Sequence, residues 1–161
     1  MKHYRAEFVD NHNPRGLSIP VFVEAETEEE AVSRSLEAAH TTLYEESPGK
    51  LGTFQSIMEI DEELFSAESA IVLAHWKWRQ SGSEEKAAKQ GVTDAKRAKS
   101  RLLSDRQAAE EMAFKNRMME KYGMVGHKKA EKVWEMAWDE GHSSGYGEVE
   151  LYFAEFAELA R

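Results

Sequence analysis

The residues with the widest chemical range in this chain are its six histidines, at 3, 12, 40, 75, 127 and 142. Two of them open hydroxyl-bearing triplets, His40-Thr41-Thr42 and His142-Ser143-Ser144, so His40, Thr42, His142 and Ser144 are the candidate catalytic residues. Imidazole titrates near neutral pH, the property that acid–base catalysis needs. The histidines show no HExxH or comparable ligand spacing, so neither a metal nor a cofactor is expected. Cysteine is absent, which removes disulfides, Cys-ligated zinc, iron–sulfur clusters and thiol nucleophiles. Glycines 141, 145 and 147 free backbone N–H groups ahead of a helix, an arrangement that can bind an anion. The stretch has neither a P-loop nor a dinucleotide-binding glycine pattern, and no lysine or preceding strand. Glu148 also puts a negative charge at that helix start. A helix–helix turn is the expected role.

Binding chemistry is richer. His75-Trp76-Lys77-Trp78-Arg79 sets aromatics among bases. On a helix Trp78 joins the apolar stripe and Trp76 points away from it, which makes Trp76 the candidate protein-partner contact. Residues 86–106 hold seven bases against two acids. Within them Lys96, Arg97, Lys99 and Arg101 are the candidate nucleic-acid contacts. They spread around the helix rather than forming one stripe, and the whole chain carries −9, so nucleic acid ranks below a protein partner. Residues 1–65 also carry −9 and residues 133–161 carry −6. Glu28, Glu29 and Glu30 are the densest acidic cluster and a second candidate partner surface; the positive end of a helix dipole explains them equally well.

The two triplets resemble those of the 2H phosphoesterases. In that family each triplet lies on a strand, the histidines act as general acid and base, and the hydroxyls hold the phosphate. Trp134-Glu-Met-Ala-Trp138-Asp-Glu-Gly-His142-Ser-Ser-Gly-Tyr146-Gly-Glu-Val149 resembles the carboxyl-terminal segment of small proteins of tailed bacteriophages. Val23-Glu-Ala-Glu-Thr-Glu-Glu-Glu-Ala31 is similar to the start of other short phage proteins. What these likenesses imply is a phage gene acting in the cytoplasm of an infected bacterium, where accessory proteins bind and redirect host machinery.

The elements that must position these residues follow from periodicity. Tyr4, Ala6 and Phe8 alternate with polar neighbours, the period of a half-buried strand over 3–10. A second strand spans Leu17–Glu24, and Pro20 places it at a sheet edge. Thr27 caps a helix, with Glu30 reaching back. Ala31, Ser35, Ala38 and Ala39, with Val32, Leu36 and Leu43, form its packing stripe. Residues 54–60 form a third strand, in which Phe54, Ser56, Met58 and Ile60 alternate with Gln55, Ile57 and Glu59. Residues 1–62 therefore read as a three-stranded ββαβ unit and residues 63–161 as a helical bundle of three or four helices, an α+β protein. The helices are expected from Ser66 to Gln80, from Thr93 to Tyr122 and from Lys128 to Glu140, the last with Val133, Trp134, Ala137 and Trp138 at helical spacing. A final helix carries Val149, Tyr152, Phe153, Phe156, Leu159 and Ala160 on one face. The first carries the stripe Ala67, Ala70, Ile71, Ala74 and Trp78; the second carries Ala95, Ala98, Leu102, Ala109, Met112 and Ala113. That alanine-rich stripe allows close helix approach and self-association. Ala70–Ala74, the longest apolar run, is far too short for a membrane span, and a soluble cytoplasmic protein is expected. The leading function is non-enzymatic binding that inhibits or redirects a host or phage protein. The alternatives are a phosphoesterase or nucleotide-directed enzyme using the triplets, and nucleic-acid binding through residues 86–106.

Overall fold

The computed structural model describes residues 1–13, 15–16, 18–47 and 49–161. Its elements are β1 (Lys2–Asp10), β2 (Ile19–Ala25), α1 (Glu28–Ala39), β3 (Leu51–Ile60), α2 (Glu62–Gln80), α3 (Lys86–Lys121), α4 (Ala130–Gly141) and α5 (Tyr146–Ala160). A short 3-10 turn, His142–Ser144, joins the last two. The chain is an α+β protein with a ββαβ unit followed by helices. Leu17, the expected start of the second strand, lies outside the described residues, as do Pro14 and Pro48 of the neighbouring turns. Residues 1–103 and 104–161 form two compact units. The change from strand to helix falls at 60–62, and the division between units falls inside α3.

In the first unit the sheet order is β2-β1-β3, antiparallel throughout. Tyr4, Ala6 and Phe8 bury one face with Val21, Val23 and Ala25, against Ala31, Ser35 and Ala39 of α1. Thr27 caps α1 as expected, its hydroxyl accepting the Glu30 N–H at 3.2 Å. The Glu30 carboxylate reaches one residue further back than a capping box requires, accepting the Glu26 N–H at 2.9 Å. Pro20 does lie on an edge strand. The Tyr44 hydroxyl accepts from the Phe22 N–H and donates to the Phe22 carbonyl, both at 3.1 Å. One free backbone pair of that edge is thereby satisfied.

Strand β3 departs from simple alternation. Glu7 pairs with Ser56 but Phe8 pairs with Phe54, so Gln55 is an extra residue opposite β1. The bulge reverses the phase, and Phe54 and Ile57 both pack on the α1 side of the sheet although they are three apart. Period-2 reading put them on opposite faces; a bulge has no local sequence mark to reveal it.

The other face of the sheet carries His3, Arg5, Glu7 and Phe22, and α2 covers part of it. Phe65 packs at 4.6 Å from the His3 ring and 6.1 Å from the Phe22 ring, centroid to centroid. The helix starts four residues before the expected Ser66, because Asp61 caps it by accepting the Leu64 N–H at 3.0 Å. Its working face also differs from expectation. Glu68 meets Arg5, and Val72, His75 and Arg79 meet Ile19 and Pro20 at the β2 edge. The alanine stripe turns elsewhere: Ala70 and Ala74 share a cleft with Ala88 and Gly91 of α3. A sheet face that bears Arg5 and Glu7 needs a polar complement, and apolar periodicity is blind to that need.

Glu68 is 5% exposed. It accepts from Arg5 Nη1 at 3.3 Å and pairs with Lys99 Nζ at 2.6 Å, so one carboxylate ties β1, α2 and α3 together. Removing it leaves Lys99 without a carboxylate partner among the described residues and Arg5 with Glu7 alone, 2.6 Å from its Nε; the two cationic side chains are each 31% exposed. Breaking a fully buried pair costs about 3–5 kcal/mol, and this partial exposure lowers the expected loss for Glu68→Ala to about 2 kcal/mol. Urea unfolding checks it, with Ser66→Ala at an exposed position of the same helix as the control.

The second unit is the end of α3 with α4 and α5. Phe114, Met118 and Met119 enter a core with Val133, Ala137, Val149, Phe153 and Ala157. The stripe expected upstream on α3 is not core: Ala98, Ala109, Met112 and Ala113 are exposed. That helix starts at Lys86 rather than Thr93 and runs through Gly91. On α5 the buried positions are Val149, Phe153 and Ala157, and Leu159, expected on the same face, is 76% exposed. Helices α4 and α5 run antiparallel, with Gly141 against Val149 at one end and Val133 beside Phe156 at the other.

The corner between them explains two of its three glycines. A Cβ on Gly141 would sit 2.5 Å from the Val149 backbone nitrogen, and Gly145 holds φ +105°, which side chains disfavour. Nothing lies within 4 Å of a Cβ on Gly147. Gly141→Ala should therefore destabilise the chain by about 1–3 kcal/mol through overpacking, whereas Gly147→Ala, in the first turn of α5, should leave stability unchanged or raise it by up to about 1 kcal/mol. Chemical denaturation followed by far-UV circular dichroism distinguishes the two.

Candidate functional site

The candidate site lies in the first unit, where α2 passes the edge of β2. Helical spacing puts Val72, His75 and Arg79 on one face of α2. They enclose a pocket of about 170 Å³ with Ile19 and Pro20 of β2 and with Leu43, Tyr44 and Glu46 of the segment after α1. Arg79 fixes that segment: Nη2 donates to the Thr42 and Leu43 carbonyls, each at 3.1 Å, and Nη1 lies 3.6 Å from Glu46 Oε1. Lys50 donates to the other oxygen of Glu46. Trp76, next to the pocket and half-buried, donates its indole N–H to Thr42 Oγ1 at 3.4 Å. Trp78 is half-buried with a ring 6.3 Å from His75, and its indole N–H has no partner among the described residues.

The electrostatics are consistent with a closed, polar surface. Burial pushes His75 below its ordinary range, Lys96 and Arg79 push in the same direction, and Glu46 opposes them. The Lys50 hydrogen bond holds Glu46 below the usual carboxylate range, with the charges of Lys50 and Arg79 adding to it. Burial raises Tyr44 against its hydrogen bond to Phe22. Pockets that enclose a drug-sized ligand measure roughly 300–1,000 Å³. This one is smaller and is already crossed by Arg79.

The candidate catalytic residues fall in separate units. His40 caps the C-terminus of α1, exposed, with Nδ1 3.8 Å from Glu45. Thr42 follows in a turn and accepts from Trp76. His142 and Ser144 form the exposed 3-10 turn between α4 and α5. The His142 ring stacks on Trp138 at 5.5 Å and 14°, and Nδ1 lies 2.7 Å from the Trp138 carbonyl. Neither triplet is on a strand, the placement that the phosphoesterase likeness calls for. Among the described residues no three His, Asp or Glu side chains group to hold a metal ion.

The charged candidates are differently placed. Glu28 and Glu29 are exposed in the first turn of α1, and Glu30 is taken up by Glu26 and by Arg34 at 2.6 Å. On α3, Lys99 is held by Glu68, Arg97 lies 3.8 Å from Asp94, and Lys96 and Arg101 are exposed. One of the four candidate nucleic-acid contacts is thus committed to a buried carboxylate. Sequence reasoning missed Glu68, Tyr44, Glu46 and Arg79. Only Glu68 left a signal, as an acid at packing distance along the helix from Phe65, Val72 and His75.

Together the ββαβ sheet unit and the antiparallel α4–α5 pair define an α+β protein with a small polar pocket and a half-exposed tryptophan beside it. The chain belongs to DUF8546, a family of unknown function, which it matches over residues 58–161. Trp76, Glu68 and the α4–α5 pair lie inside that match; β1, β2, α1 and the segment carrying Tyr44 and Glu46 lie outside it. No curated protein and no solved structure matches the chain. No helix of the described residues is long and apolar enough to cross a membrane.

The pocket makes a prediction about pH. The folded chain binds the His75 proton less tightly than the unfolded chain does, so stability is lost as pH falls through the ordinary histidine value of 6.5. The depressed Glu46 contributes stability above its ordinary value of 4.5 that disappears below it. His75→Gln should therefore gain on the parent chain between about pH 8 and about pH 5. Urea midpoints of the variant and the parent chain across that range test the sign.

Proposed function

We propose that the chain is a non-enzymatic binding protein that docks on another protein through Trp76 and the Arg79-braced Thr42–Glu46 segment. The observation that carries this reading is the presentation of Trp76. Its ring is half-exposed, its one polar atom is already satisfied by Thr42, and Arg79 anchors the backbone behind it. A large aromatic held in place on a small rigid patch is the side chain that dominates protein interfaces, because little entropy remains to be lost on docking. The small volume of the adjoining pocket supports a macromolecular rather than a small-molecule partner. Glu28 and Glu29, exposed at the opposite end of α1 from Thr42, remain available as a second, acidic contact surface, whereas Glu30 serves the helix start. The likeness of residues 134–149 to tailed-phage proteins supports a setting in the cytoplasm of an infected bacterium. There the mechanism is steric occlusion or retargeting of a host or phage protein.

Affinity capture of the tagged chain from bacterial lysate, with and without nuclease, tests it. The expected result is a stoichiometric, nuclease-resistant protein partner. Trp76→Ala should weaken its capture by about 2 kcal/mol or more, the level of an interface anchor, with thermal stability lowered by less than about 1 kcal/mol. Unchanged capture by the variant, or a large loss of stability, assigns Trp76 to the fold and overturns the reading.

A further inference from the structure

In the second unit, α4 and α5 leave an apolar groove of about 440 Å³ open along their outer side. Val133, Met136, Phe156 and Leu159 form its floor. Met136 is 41% exposed and Leu159 76% exposed, large apolar side chains that helical spacing alone would have buried. Lys129 and Lys132 line the α4 edge. Both are exposed and neither has an ion pair among the described residues, although the remainder of α4 and α5 is strongly acidic. On the α5 side, Glu155 and Glu158 flank Phe156 and Leu159 and are exposed; among the described residues their carboxylates have one ion pair, a loose 3.9 Å approach of Arg161 to Glu158. The patch thus has an apolar centre, unpaired cations along one edge and anions along the other.

A two-fold axis through the centre of such a patch exchanges its edges. It lays Leu159 of each copy over the floor of the other and sets Lys129 and Lys132 of one copy opposite Glu155 and Glu158 of its mate. We infer that a second copy of this chain occupies the α4–α5 groove, forming an isologous dimer whose centre is apolar and whose edges are charge-complementary. The inference concerns a surface distinct from Trp76 and stands or falls separately from the binding reading above. It also differs from self-association through the alanine-rich stripe of α3, whose exposed positions lie on another element.

Sedimentation velocity of the full chain, from low micromolar to several hundred micromolar, tests it with three variants. The parent chain should show a reversible monomer–dimer equilibrium. Leu159→Glu, at an exposed position, should weaken it at least tenfold with an unchanged circular dichroism spectrum. The double variants Lys129→Glu/Lys132→Glu and Glu155→Lys/Glu158→Lys should each be monomeric alone, because each places like charges across the axis. Mixed in equal amounts they should form a heterodimer, a rescue that damage to the fold would not give. A parent chain that stays monomeric overturns the inference, as does a dimer that none of the variants disturbs. A monomer that instead binds a synthetic peptide of residues 146–161 also overturns it, and gives the groove to an acidic amphipathic helix of another protein.

Discussion

The carboxylate of Glu68 is the constraint around which the first unit is arranged. A buried charge is tolerated only when oppositely charged groups surround it, and the two that do so here come from different elements, Arg5 from β1 and Lys99 from α3. The second face of the sheet is therefore covered by a helix matched to it in charge rather than in apolar area. Everything near the candidate site follows from that match. With Glu68 over Arg5, one further turn of α2 brings Val72 to the β2 edge, the next brings His75, and the last brings Arg79 beneath the Thr42 and Leu43 carbonyls. The aromatic neighbour Trp76 is left on the rim, where Thr42 satisfies it.

The same carboxylate alters the meaning of the basic segment. Seven bases in residues 86–106 look like an electrostatic surface when counted in sequence, yet Lys99 serves a buried partner and Arg97 lies 3.8 Å from Asp94. Charge on a long helix becomes a binding surface only where the fold leaves it unpaired. By that criterion Lys129 and Lys132, which the count over residues 86–106 does not include, qualify alongside Lys96 and Arg101. The family match has a parallel consequence. It takes in Glu68 and Lys99 but begins after Arg5, so the buried carboxylate keeps its α3 partner inside the matched segment and finds its β1 partner outside it.

The glycine-rich corner illustrates how one composition supports two readings. Freed backbone N–H groups before a helix suit an anion, and they equally suit a sharp reversal between two packed helices. The contact of Gly141 with the Val149 backbone and the positive φ of Gly145 settle the role of those two positions as steric. His142, the candidate catalytic histidine within the corner, stacks on Trp138 and continues an aromatic series with Trp134 along α4. The stacking places its ring on the helix face, in a turn rather than on a strand.

Much of this was legible in the chain alone, because it depends on neighbours a few residues apart. The alternation of Tyr4, Ala6 and Phe8, the Thr27 cap, the edge position required by Pro20 and the buried pair Val133 and Ala137 are local in that sense, and together they set the α+β class. The readings that failed depend on what lies opposite. The bulge at Gln55 is defined only by its partner strand, and the sheet-facing side of α2 only by Arg5. The exposure of Leu159 depends on how far α4 extends beside it. The pocket brings together residues from 19 to 79, and its two key bonds run from Arg79 to carbonyls, groups that every residue possesses. Sequence determines such a site only through the tertiary structure, because a backbone acceptor carries no side-chain identity to be read in advance.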